Sequence, residues 1–169
     1  FIDQGQKFAL LLQKTVSPIQ VTLLPKISRS SKKKSSELVT SIIRIYSILI
    51  FLSSFILFIL IKPLILILYG IDFVPIIKIV YILIPSLFFK NISVIIGCFY
   101  SGIGRPIKNV YMQIIPLIIQ ITLTATLVKD FGYLGVVFSI SISSTIYGIA
   151  FIFYFLKSTK QTVSNLIPK

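Results

Sequence analysis

Hydrophobic positions in this chain come in long unbroken runs separated by short polar breaks. The stretch 45–61 carries no charge and is bracketed by Arg44 and Lys62; 110–128 and 133–156 are also uncharged. A helix needs about 20 apolar residues to cross a hydrocarbon core of ~30 Å, and each run is near that length. The pattern predicts five membrane spans at 8–24, 42–61, 76–100, 110–128 and 133–156. The expected fold class is therefore all-α: a polytopic membrane protein of about five transmembrane helices. Strands of a membrane barrel are ~10 residues with alternating polarity, and that alternation is absent. Unpaired backbone cannot sit in hydrocarbon, so the runs must be helical.

The breaks are read from turn and charge residues. Pro25 and Lys26 close the first span, and a basic, serine-rich loop is expected over 26–41. Lys62-Pro63 ends the second span, because proline disfavours helix in the residue before it. The apolar stretch 64–69 that follows is too short to cross the bilayer and is expected to lie along the interface. Gly70-Ile71-Asp72, the segment 101–106 and Lys129-Asp130-Phe131-Gly132 are expected turns, and 157–169 a polar tail. The chain begins at Phe1 without a basic, apolar and small-residue leader pattern, which suggests a piece whose N-terminal part is missing.

Charge then fixes an orientation. The net charge is +13, a value that invites a nucleic-acid reading; lysines between spans are instead topology signals, and no nucleic-acid partner is expected. Alternating five spans gathers eleven cations on one side: Lys26, Arg29, Lys32, Lys33, Lys34, Arg44, Arg105, Lys108, Lys157, Lys160 and Lys169. The other side holds three, Lys7, Lys62 and Lys129. The excess predicts that the loop 26–41 and the tail 157–169 are cytoplasmic.

Polar residues inside the spans are the candidate chemistry. A mid-bilayer lysine costs roughly 2.5–3.5 kcal/mol on insertion scales, so such residues face a wet cavity or a partner. Lys78 lies two residues into its span and can snorkel. Lys14 flanks a stripe formed by Gln13, Ser17 and Gln20; this is either a cavity wall or a set of interhelical hydrogen bonds. Lys90, beside Asn91, is the deepest cation, and is read as cavity-facing against the alternative of a buried structural pair. Asn109, Gln113, Gln120 and Thr124 share one face of the fourth span around Pro116, suited either to sugar hydroxyls or to packing at a kink. Ser139, Ser141, Ser143, Ser144, Thr145 and Gly148 repeat at four-residue spacing, the pattern of close helix packing.

The four acids, Asp3, Glu37, Asp72 and Asp130, all fall outside the spans, and there is no histidine. No general base is therefore placed in the membrane, and an enzyme is not expected. Cys98 is the single cysteine, so neither an internal disulfide nor a thiol-rich metal site forms, and no cofactor is expected. Gly102-Ile103-Gly104 lacks the preceding strand and third glycine of a nucleotide loop.

Four segments, in order, resemble the C-terminal half of Wzx-like polysaccharide flippases of the multidrug/oligosaccharidyl-lipid/polysaccharide exporter superfamily. They are Leu23-Leu24-Pro25-Lys26-Ile27-Ser28, the stretch from Lys62-Pro63 through Tyr69-Gly70-Ile71-Asp72-Phe73, Gly102-Ile103-Gly104-Arg105-Pro106, and Phe131-Gly132-Tyr133-Leu134-Gly135-Val136. Val136-Val137 departs from the small residues usual after the last glycine. The resemblance implies two helical bundles around a central cavity, these five helices forming part of one bundle, alternating access, and movement of a lipid-diphosphate-linked oligosaccharide across a prokaryotic cell membrane during lipopolysaccharide or capsule assembly. It implies as partners the bilayer, that glycolipid and the remaining N-terminal half of the same transporter. A drug or peptidoglycan-precursor exporter of the superfamily, or a membrane enzyme of polysaccharide assembly, are the competing readings.

Overall fold

A computed structural model describes residues 17–161. They form five α-helices: α1 Ser17–Ser28, α2 Lys32–Tyr69, α3 Pro75–Gly102, α4 Ile107–Phe131 and α5 Tyr133–Thr159. A single 3-10 turn, Ile71–Phe73, joins α2 to α3, and no strand occurs among the described residues. The helices α2 to α5 are each long and apolar enough to cross a membrane. The chain is an all-α, multi-pass membrane protein. Most of the first expected span lies outside the described residues.

The helix α3 is the hub and packs against α1, α2 and α5, while α4 lies along α5 and touches α3 through Asn109. No residue of α4 is buried. Within a bilayer there is little hydrophobic drive between helices, so close approach and hydrogen bonds must hold them together. Gly148 supplies the approach of α5 to α3: a Cβ there would collide with the backbone and side chain of Phe89. Nearby, Pro85 has no N–H for its own helix, and Ser141 of α5 donates to the carbonyl of Ile82 at 2.6 Å. Thr124 of α4 and Ser139 of α5 share a hydrogen bond of 2.6 Å. Such bonds contribute about 0.6 kcal/mol each in membranes. The serine stripe of α5 thus packs on two neighbours, as its spacing predicts.

Aromatic rings close one end of the bundle. Phe99 and Tyr100 of α3 meet Phe155 and Phe151 of α5 at centroid distances of 5.2 and 5.6 Å. Leu23 and Ile27 of α1 and Ile43 and Ile50 of α2 complete that core. The other end is aliphatic, with Ile61 and Ile65 of α2 against Ile76, Ile77 and Val80 of α3.

Three boundaries differ from the sequence reading. Pro63 does not end its helix: α2 runs through it to Tyr69, a length of 38 residues or about 57 Å. Ile65, fully buried with Ile61 against Ile76, holds the two turns after the proline on α3; the stretch 64–69 is the end of α2, not an interfacial segment. The basic loop expected over 26–41 contracts to a turn at 29–31. Here α1 continues through Pro25 because Ile27 is buried against Gly102. Lys32 already opens α2, and the Ser35 hydroxyl reaches back to the Ile27 carbonyl at 3.3 Å. The turn expected over 129–132 is only Gly132, whose φ of 56° needs no side chain.

Candidate functional site

Two adjoining hollows of about 360 and 350 Å3 form one polar groove between α1, α3, α4 and α5. They share Val94, Gln113 and Tyr147, which form the saddle between them. The helical period builds each wall. On α3, Lys90, Val94, Gly97 and Ser101 follow three- and four-residue steps and so share a face. On α4, Asn109, Gln113, Pro116 and Gln120 do the same. Ser143, Ser144 and Tyr147 of α5 form the floor of one hollow, and Gln20 of α1 borders the other.

Among the described residues, Lys90 is the only charged one on either wall, and no carboxylate lines the groove. It is half-buried, midway along α3, and no acid among the described residues lines the hollow it borders. The remaining polar groups are neutral amides and hydroxyls. Asn109 is the anchor of the α4 wall: its side-chain amide donates to the Gly97 carbonyl and to the Ser101 hydroxyl, each at 3.0 Å. Its carbonyl oxygen is buried without a partner. Tyr147 and Gln113 face each other at the saddle, lining both hollows. Pro116, within α4, has no N–H to donate to the carbonyl of Met112 one turn earlier.

Of the residues singled out from sequence, Gln20, Lys90, Gln113 and Gln120 come together here. Gln13 and Lys14 lie outside the described residues; Ser17 is the first residue of α1, and its side chain is not described. Asn91 lies apart from them: it is 1% exposed, lines neither hollow, and neither of its side-chain polar atoms has a partner among the described residues. One residue on from Lys90 is a 100° rotation, enough to turn it into the helix interface. Thr124 is likewise taken out of the groove by its bond to Ser139. Lys78 is exposed in the first turn of α3, in keeping with snorkelling. The sequence reading missed Tyr147 and took Ser143 and Ser144 for packing alone. A signal existed, since Tyr147 lies one turn from both.

A larger opening of about 490 Å3 between α2 and α3 is walled by Phe51, Phe55, Phe58, Phe88 and Phe89. Ser54, whose buried hydroxyl has no partner among the described residues, is the one polar side chain of its lining, too few polar groups to orient a ligand, so the functional site is not placed there. No cluster of metal-ligating side chains occurs among the described residues. No protein-family model, curated protein or solved structure matches this chain.

Proposed function

We propose that this chain is part of a flippase that carries a lipid-diphosphate-linked oligosaccharide across a prokaryotic cell membrane. The observation that supports it is the polar groove inside an otherwise apolar bundle, with Lys90 as its one charge among the described residues. A desolvated ammonium requires water or an anion, and lysine meets phosphate as a compact point charge. The amides and hydroxyls of Gln20, Gln113, Gln120, Ser143, Ser144 and Tyr147 suit sugar hydroxyls, which donate and accept in turn. On this reading a second bundle of the same transporter faces the groove and completes the cavity, and the basic end of the helices is cytoplasmic. An exporter of cationic drugs is less well served, since among the described residues no carboxylate lines the groove to receive a cation.

The test is transport by the complete protein in proteoliposomes loaded with a fluorescent lipid-diphosphate oligosaccharide. Protein-dependent exposure of the glycan to an external lectin is the expected result. Export of a cationic dye with no glycolipid movement would replace this reading with the drug-exporter one.

A further inference from the structure

The hairpin between α1 and α2 presents Lys26, Arg29, Lys32, Lys33 and Lys34, all exposed. Five cations thus fall within nine positions, and the nearest acid is Glu37. Orientation does not require the lysine triplet. Without it, the same end still carries Lys26, Arg29, Arg44, Arg105, Lys108, Lys157 and Lys160 against Lys62, Lys78 and Lys129 at the other.

The position of the hairpin along the bundle matters more than its charge alone. Ile27 is buried against Gly102, the last residue of α3, and Ser35 bonds to the Ile27 carbonyl. The cluster is thus tied to the end of a helix long and apolar enough to cross a membrane, the region where lipid headgroups lie. Adjacent like charges repel, and three of these cations are consecutive at the start of α2 with only Glu37 one turn away, so an anion beside them relieves a cost that one acid does not offset.

We propose that this hairpin is a binding surface for anionic phospholipid headgroups of the leaflet it faces. Basic clusters next to a span attract such lipids at about fivefold per residue. The proposal is independent of the groove and of any transported substrate.

The complete protein in neutral detergent micelles is titrated with short-chain phosphatidylglycerol and, in parallel, phosphatidylcholine. Tighter binding of phosphatidylglycerol is expected at low salt, with the difference vanishing near 1 M salt, where screening acts within about 3 Å. The triple variant Lys32→Gln, Lys33→Gln, Lys34→Gln should reduce that preference on the order of a hundredfold at low salt, three residues at about fivefold each, with phosphatidylcholine binding unchanged as a check on folding. Lys33→Gln alone should lower it less. Lys157→Gln with Lys160→Gln, away from the hairpin, should leave most of it. A wild-type protein without preference, or a triple variant that keeps it, overturns the proposal. Complete displacement by excess inorganic phosphate does so too, because the site would then serve a free anion.

Discussion

Asn109, in the first turn of α4, reaches across to α3 and gives one N–H to the Gly97 carbonyl and the other to Ser101, both at 3.0 Å. Because no residue of α4 is buried, this contact bears much of the positioning of the groove's outer wall. Asn109→Ala should lower stability by about 0.6 to 1.7 kcal/mol. Asn109→Asp should cost more, since it keeps the shape but sets a carboxylate oxygen against a carbonyl. Thermal unfolding in detergent reads both; an Asp variant as stable as wild type would show that the contact does not fix α4.

Two glycines of the same bundle should respond oppositely to alanine. A Cβ at Gly148 would meet Phe89 backbone, whereas one at Gly97 would find only the Asn109 side chain at 3.7 Å or more. Gly148→Ala should destabilise by about 1–3 kcal/mol through overpacking. Gly97→Ala should fall within about 0.5 kcal/mol of wild type. Equal effects at the two sites would deny the α3–α5 seam its close approach.

These sites divide what the sequence made legible from what it did not. Span positions and the serine stripe of α5 were readable because hydrocarbon thickness and small-residue spacing are local constraints. The fate of Pro25 and Pro63 was not. Both prolines lose the same backbone bond, and whether the helix ends there depends on distant partners, Gly102 for Ile27 and Ile76 for Ile65. The site was half legible for a similar reason. Lys90, Gln113 and Gln120 stood out as polar residues in apolar runs. Asn91 stood out equally, and only the packing of α3 decides that one faces the groove and the other does not. Tyr147 did not stand out, since a tyrosine in a span reads as ordinary apolar surface until Gln113 is placed beside it at the saddle.

Sidedness can be read with cysteines in a Cys98→Ala background. Ser31→Cys, in the α1–α2 turn, should resist a membrane-impermeant thiol reagent in intact cells, and so should Ser164→Cys in the tail. Asp72→Cys, in the turn between α2 and α3 at the opposite end, should label. The charge asymmetry is the warrant. Labelling at position 31 with protection at 72 would invert the protein in the membrane and place its basic end outside.

Lys90 and Lys78 sit on the same helix and separate charge at the groove from charge at the surface. Lys90 lines the groove and is half-buried, while Lys78 is exposed in the first turn of α3. If Lys90 holds an anionic headgroup, Lys90→Met in the complete protein should lower glycolipid transport at least about tenfold, the scale of losing a hydrogen bond to a charged group. Lys90→Arg keeps the charge but replaces a point cation with a wider planar fork, so transport should fall only in part. Lys78→Met should have little effect, because its ammonium reaches headgroup water in either case. Membrane abundance must be measured alongside, since a methionine that merely fills the site could also change assembly. Normal transport by Lys90→Met at wild-type abundance would remove the charge from substrate handling. Loss of abundance in Lys90→Met, restored by Lys90→Arg, would make the residue a structural cation of the α3 wall rather than a substrate ligand.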